Sequence, residues 1–130
     1  MRFHTSTDYA VRMTLCLAKS SNLVSSAELA KAIGVSSRYL LQIASKLKQA
    51  GLILSTYGPN GGLSLARPAS EMSLYEIVIA MRDPAGKRMT SSCQCEEPLF
   101  FRLGMAYEHL DSTLEEIMRK ITIERLLLVP

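Results

Sequence analysis

The chain has 130 residues, of which 48% are hydrophobic, and its formal net charge is +3. This size fits one globular domain with a small appended element, and no apolar run is long enough for a membrane-spanning helix. A mild basic excess permits nucleic-acid binding without arguing for it, so the positions of the charges matter more than their sum. Arg2, Asp8 and Arg12 interrupt any signal-peptide core, and we expect a cytoplasmic protein.

The first two predicted elements are helices. One spans about 6–20, with Thr5 as a candidate cap and Asp8 three residues further on, and its apolar residues surround most of the helix. The second spans about 26–33 and is stopped by Gly34. The all-round apolar character of the first helix predicts that it is buried on more than one side.

A third helix begins at a Ser36 cap and runs to Ala50, with Gly51 as its stop. Its apolar residues recur at helical spacing, which predicts one face turned toward the core. The residues expected on that face are Leu40, Leu41, Ile43, Ala44 and Leu47.

The next segment changes from helical to strand-like periodicity. The short runs "LILSTY" and "LSLAR" are joined by "GPNGG", in which Pro59, Asn60 and Gly61 suit a tight turn. This pattern predicts a β-hairpin.

Three helices are predicted in the C-terminal third, over about 73–82, over about 98–120, and in a short segment capped by Thr122. In the long helix, apolar residues recur at spacings of four and three, which is typical of a helix-packing seam. The seam consists of Leu103, Tyr107, Leu110, Leu114, Ile117 and Ile121.

The order helix, helix, tight turn, helix, hairpin is that of a winged helix-turn-helix. Ala30 is small where two helices must cross closely, Gly34 permits the positive φ of the turn, and Leu40 returns to the shared core. We therefore predict a mainly α fold with a small β-hairpin wing and a long C-terminal helix, whose residues 1–82 form the winged helix-turn-helix domain.

The third helix carries the residues that point to DNA binding. Its N-terminal, solvent-facing end combines hydroxyl, amide and guanidinium groups, which can contact base edges and phosphates, and its positive terminus favours a phosphate. Lys46 and Lys48 add charge directed at the DNA backbone. The residues expected at the N-terminal end are Ser36, Ser37, Arg38, Tyr39 and Gln42.

Four stretches resemble the family of winged-helix regulators that includes IscR, NsrR and CymR. They are "TDYAVR", "VSSRYLLQIASKLKQAGLI", "GPNGGLSLARP" and "ITIERLL", which are similar to the family's first helix, recognition helix, wing and closing helix. The resemblance implies a homodimer joined through the helix over 98–120, which binds a pseudo-palindromic operator and usually represses. It also implies that Ser36, Arg38 and Tyr39 read the major groove while the wing tip enters the minor groove.

The wing departs from the family pattern at one position. Members often carry an arginine just before the first wing glycine, and here Tyr57 occupies that place. Tyrosine can hydrogen-bond or stack but lacks an arginine's attraction to a narrow groove. Two readings stay open: Tyr57 contacts DNA, or it pairs across the hairpin. In either case Asn60, Gly61 and the other wing-tip amides would carry more of the minor-groove contact.

The segment over 83–97 holds Cys93 and Cys95, two of the three cysteines. The odd cysteine count argues against a disulfide framework. By resemblance, this segment is where many family members bind an iron–sulfur cluster through three cysteines. Here Phe101 lies near the place of the third thiolate, and Asp8 lies where some members have an acidic ligand.

Three uses of this candidate sensor loop remain open, and no cofactor is assigned. Cys93, Cys95 and Asp8 could ligate an iron–sulfur cluster, although a cluster normally needs four ligands. A disulfide between residues two apart is strained and easily reduced, which suits a redox switch. Alternatively, the protein senses a small molecule or a partner protein without a cluster.

Two other classes of function compete with DNA binding. The chain has no Gly-x-Ser-x-Gly, His-Glu-x-x-His or Walker sequence, which argues against an enzyme. A winged-helix interaction module that binds no DNA is disfavoured by the basic, Ser/Tyr-rich recognition helix.

Overall fold

The computed structural model of the protein describes residues 4–82 and 98–128. The predicted mainly α fold with a hairpin wing and a long C-terminal helix is confirmed, and a short 3-10 turn follows the wing. In chain order the elements are α1 (Thr5–Lys19), α2 (Ser26–Ile33), α3 (Ser37–Gln49), β1 (Ile53–Thr56), β2 (Gly62–Leu65), the 3-10 turn (Ala69–Glu71), α4 (Leu74–Met81), α5 (Pro98–Lys120) and α6 (Ile123–Leu127). Within 4–82 and 98–128, no helix combines the length and apolar character needed to cross a bilayer.

Four helices begin at a hydroxyl side chain that accepts a hydrogen bond from the backbone N–H three residues further on. At α4 the carboxylate of Glu76 also accepts from the N-cap backbone, which completes a capping box. The capping residues are Ser25, Ser36, Ser73 and Thr122. These local bonds explain why the starts of α3 and α6, at Ser36 and Thr122, could be predicted from the sequence.

The start of α1 differs from the prediction. His4 occupies the N-cap position without a side-chain hydrogen bond, so the cap predicted at Thr5 is wrong. Asp8 instead faces the next turn of the helix and accepts a hydrogen bond from Arg12 Nε at 3.1 Å.

The turn between α2 and α3 depends on Gly34. This residue ends α2 in the left-handed conformation, with φ at 76°. The N–H groups of Gly34 and Val35 both bond to the carbonyl of Ala30, which is buried where the two helices meet. A residue with a Cβ would be strained at this φ. Glycine at position 34 therefore permits the tight turn that directs α3 away from α2.

The core is built mainly by one face of each of the first four helices, closed by β1 and β2. On α3 the buried positions are Leu40, Ile43, Ala44 and Leu47. Leu41 was predicted to face inward, but its side chain is 53% exposed. The reason is geometric: Leu41 lies about 100° around the helix from Leu40, on the edge of the outer face.

The wing is a two-stranded antiparallel sheet, in which Thr56 pairs with Gly62 at the turn end. A single bridge links it to the segment before α2: Leu63 and Val24 exchange backbone hydrogen bonds of 2.8 and 3.1 Å. A Cβ at Gly62 would lie 2.8 Å from the carbonyl oxygen of Val24. A glycine therefore allows the close approach that anchors the wing to the helical part.

The long helix α5 is attached to this domain at its C-terminal end. Met118 is its one buried residue. Just beyond it, the Leu74 N–H donates to the Ile121 carbonyl at 2.8 Å, and the Ile123 N–H donates to the Met72 carbonyl at 2.9 Å. These bonds tie the end of α5 to the start of α4.

Glu76 links α4 to the end of the wing. One carboxylate oxygen accepts from Arg67 Nη2 at 2.6 Å and the other from the Ser73 N–H at 3.0 Å. Burial by itself would raise the pKa of Glu76, but the Ser73 hydrogen bond and the charge of Arg67 outweigh it and hold the pKa below its ordinary value of 4.5.

We expect the stabilising effect of Glu76 to disappear in acid. Because its folded pKa is depressed, the ionised carboxylate favours the folded state above pH 4.5, and this contribution is lost as the pH falls through the folded pKa. Glutamine keeps the capping-box hydrogen bonds but not the charge. Glu76→Gln should therefore be less stable than wild type by up to about 1 kcal/mol at pH 7, and the difference should shrink toward zero as the pH falls below the folded pKa of Glu76. Urea unfolding at several pH values measures this difference, and a gap that persists at the lowest pH would contradict the assignment.

Candidate nucleic-acid interface

The outer face of α3 is polar and open to solvent. Four of its predicted DNA-contacting side chains, Ser37, Arg38, Gln42 and Lys46, are exposed. Ser36 is also exposed, but its hydroxyl oxygen already accepts the Tyr39 N–H at 3.2 Å. The hydroxyl proton of Ser36 remains able to donate to an acceptor such as a phosphate.

Tyr39 differs from its neighbours because its side chain is half-buried. Its ring packs edge-on against the ring of Tyr9, with centroids 5.8 Å apart and an interplanar angle of 85°. Both rings lie at the edge of the core. Tyr39 thus joins α3 to α1, and the contact helps to hold α3 in place.

Other exposed residues of this face were not predicted from the sequence, among them Leu41, Ser45 and Gln49. Leu41 is exposed and Ser45 is exposed, and both follow Arg38 at the helical spacing of three and seven residues. They share one face with Arg38 because that spacing returns to the same side of a helix. The helical spacing from Arg38 could have identified these residues in the sequence. The apolar side chain of Leu41 instead favoured a position in the core.

A groove of about 420 Å³ lies between α3 and the wing. Lys48 crosses it, with Nζ donating to the Ser55 Oγ at 3.3 Å. The serine and threonine residues that line it are Ser25, Ser26, Ser45, Ser55 and Thr56. A lysine surrounded by hydroxyls offers donors that suit a DNA phosphate.

The tip of the wing presents Tyr57 and Asn60 to solvent. Tyr57 is 87% exposed and lies one residue beyond the last strand pair, so its predicted alternative role as a cross-strand partner is wrong. β1 ends at Thr56, and the turn of the hairpin follows it. Gly61 donates its N–H to the Gly58 carbonyl at 3.0 Å, and this amide closes the turn.

A second exposed surface runs along α5. Its apolar residues are largely uncovered, and Leu110 and Ile117 are 53% and 51% exposed. Leu103 is exposed as well, while Tyr107 and Leu114 are half-buried. Ile121 is half-buried too, but it lies just past the end of the helix. An apolar row of this length on one helix face is typical of a surface that pairs with another chain.

The predicted metal ligands are divided between described and undescribed parts of the chain. Cys93 and Cys95 lie outside the described residues. Asp8 is exposed and paired with Arg12. In the ranges 4–82 and 98–128, no three His, Cys, Asp or Glu residues are grouped in a way that could hold a metal ion. Cys16 is a free, half-buried thiol that packs against the core.

Comparison with known proteins gives matches along the whole chain. Residues 3–128 match the family described as Rrf2, iron-dependent transcriptional regulator. The chain is 43% identical over 84 residues to Protein aau3 of Rhizobium meliloti, which covers 64% of this chain and 54% of that protein. It is 38% identical over 96 residues to the HTH-type transcriptional regulator IscR of Cereibacter sphaeroides, which covers 71% of this chain and 62% of that one. The chain therefore spans little more than half the length of these relatives.

The fold matches a solved structure closely. The oxidized form of Staphylococcus aureus CymR superimposes with a TM-score of 0.79 at 25% identity, covering 100% of this chain and 98% of that chain. The matched family and the IscR relative are transcriptional regulators, not enzymes, as the sequence analysis predicted.

Proposed function

Because the chain belongs to the Rrf2 family of transcriptional regulators, we propose that it is a homodimeric repressor that binds a pseudo-palindromic DNA operator. The observation that carries this proposal is the outer face of α3, which is polar, exposed and flanked by a wing. By this assignment residues 1–82 bind DNA, residues 83–97 sense the signal, and residues 98–130 dimerise.

The outer face of α3 has the chemistry to read base edges in the major groove. An arginine at position 38 can bond the two acceptors of guanine, and Gln42 can bond the acceptor and donor of adenine. Leu41 adds an apolar group that suits the methyl of thymine. We assign the sequence preference to these three side chains.

Other residues contact the DNA backbone and position the domain. Ser36 and Ser37 lie at the N-terminus of α3, where the helix dipole favours a phosphate, and Lys46 and Lys48 add charge further along. Tyr39 acts mainly through its ring contact with Tyr9. At the wing tip, Tyr57 and Asn60 are exposed and face the minor groove in this proposal, while Gly61 shapes the turn between them and β2.

The dimer forms through the apolar seam of α5. Pairing two copies buries side chains that a single chain leaves in water, and hydrophobic burial is the main source of association energy. A two-fold dimer presents two recognition helices to successive major grooves, which is why the operator is expected to be an inverted repeat. A dimer on such a site represses by occupying the promoter.

The signal is assigned to the segment over 83–97 because it carries Cys93 and Cys95 and connects the DNA-binding and dimerising parts of the chain. Two thiols suffice for a redox or nitric-oxide response, whereas a cluster normally needs four ligands. Cys93, Cys95 and Asp8 supply three, and Asp8 is already paired with Arg12. Anaerobic purification with a visible spectrum and iron and sulfide analysis separates a cluster from a thiol or small-molecule sensor.

Selection from a library of random-sequence DNA duplexes tests the proposed function directly. We expect the protein to enrich an inverted repeat and to bind it with an affinity that falls steeply as salt is raised, because phosphate contacts release counterions. Failure to enrich any sequence, with a folded protein and no salt-dependent binding, would favour an interaction module instead.

A further inference from the structure

Side chains from α4, from α5 and from the segment that follows the wing lie together at the start of α4. The five residues are Arg67, which follows the wing, Tyr75 and Glu76 of α4, and Glu115 and Arg119 of α5. We call this group the α4 junction. The DNA contacts described above do not use these five side chains.

On the wing side, the junction is held by the carboxylate of Glu76. Arg67 Nη2 lies 2.6 Å from one of its oxygens, and the Ser73 N–H donates to the other at 3.0 Å. The carboxylate therefore has both oxygens engaged, and it joins the end of the wing to the first turn of α4.

On the α5 side, the junction is held by the guanidinium of Arg119. Its central carbon lies 4.1 Å from the centroid of the Tyr75 ring, which is the geometry of a cation–π contact. Its Nε and Nη2 donate to Glu115 Oε1 at 3.1 and 2.8 Å, so the guanidinium plane is fixed from its own helix. Tyr75 directly precedes Glu76 in α4, so the contacts made by Arg119 and by Arg67 both act on the first turn of this helix.

α5 packs against the winged domain mainly through α4. Met118 is its one buried residue, and the backbone bonds between Leu74 and Ile121 and between Met72 and Ile123 fix the position of its end. A 23-residue helix is about 34 Å long, so a tilt of roughly 6° moves its far end by about 3.5 Å. That displacement is close to the rise of one base pair.

We propose that Arg119 is a positioning residue that fixes the angle between α5 and the winged domain, and that this angle sets the half-site spacing the dimer accepts. Through Glu76 and Arg67 the same junction aligns the wing with α5. The inference rests on the proposed dimer, because the angle matters only where two α5 helices join two DNA-binding domains.

The test compares duplexes that carry the operator selected with the wild-type protein, with the half-sites moved apart or together by one or two base pairs. We expect wild type to lose about tenfold in affinity for a one-base-pair change, since such a change rotates and shifts one half-site relative to the other. Arg119→Met should bind the altered duplexes within about threefold of the parent, because a freer α5 accommodates several spacings. Its affinity for a single half-site and its dimer mass should equal those of wild type.

Three further variants complete the design. Arg119→Lys keeps a cation over Tyr75 and should restore part of the discrimination, while Tyr75→Leu should relax it as Arg119→Met does. Arg102→Met makes the same substitution at an exposed arginine of α5 that forms no ion pair among residues 4–82 and 98–128, and it should behave as wild type.

The inference is overturned if a folded Arg119→Met or Tyr75→Leu variant discriminates between half-site spacings as strongly as wild type does. It is also overturned if either variant loses affinity equally for every duplex, including the single half-site. Wild type that tolerates all spacings equally would overturn it as well. If wild type selects no operator at all, the proposed function fails, which is a different result.

Discussion

Replacing Arg38 by alanine is expected to weaken operator binding by about 10- to 100-fold while leaving the fold intact. Arg38 lies in the first turn of α3, with its side chain exposed, so its removal opens no cavity. A bidentate arginine–guanine contact contributes about 1–3 kcal/mol of discrimination, which corresponds to that loss of affinity. Fluorescence anisotropy with the selected operator measures the loss, and thermal unfolding checks the fold.

The specificity of this result depends on the control. Arg125 is an exposed arginine on α6, and Arg125→Ala makes the same change in charge away from α3. It should keep wild-type affinity at moderate salt. If Arg38→Ala binds the operator as tightly and as selectively as wild type does, α3 does not read the DNA in the proposed way.

Placing two aspartates in the α5 seam, by Leu110→Asp together with Ile117→Asp, is expected to give a folded monomer. Both side chains are more than half exposed in the single chain, so the carboxylates remain hydrated there. In a dimer they would be buried as like charges in an apolar interface, which is strongly unfavourable. Operator affinity should fall by about 100-fold or more, because the few residues that dominate binding, which lie near the centre of an interface, cost about 2 kcal/mol or more each.

Analytical ultracentrifugation measures the mass of the variant. Comparing its affinity for full operators with its affinity for single half-sites distinguishes loss of dimerisation from loss of DNA recognition. The matched control is Met105→Asp with Ser112→Asp, which places the same charges, seven residues apart, on the opposite exposed face of α5. It should remain dimeric. A dimeric seam variant with wild-type operator affinity would show that the subunits join elsewhere.

Several features of the fold were readable because their causes lie within a few residues of each other. Ser36 caps α3 through the N–H of Tyr39, and Ser73 and Glu76 form a capping box, each over a span of three residues. Gly34 ends α2 through a property of its own backbone. The same short range explains why the spacing of residues along α5 predicted its exposed apolar row.

Other features depend on how elements pack and were not predictable in this way. Leu41 is apolar, as core residues usually are. It lies at the edge of the buried face of α3, however, and its side chain lines the groove beside the wing. The Tyr9–Tyr39 contact requires the crossing of α1 and α3 to be known. The bridge from Val24 to Leu63 joins residues far apart in the sequence.

The sequence by itself determined the kind of protein: helix starts, the glycine turn, the hairpin and the α5 periodicity are local signals that agree on a winged helix-turn-helix regulator. Tertiary structure alone decided which side chains of α3 are exposed, that the Tyr39 ring packs against Tyr9, and that Arg119 lies over the Tyr75 ring at the α4 junction. The physical reason is that caps, turns and periodicity act over a few bonds. Exposure and long-range contacts depend on crossing angles between helices, which arise only when all the apolar faces are packed together at once.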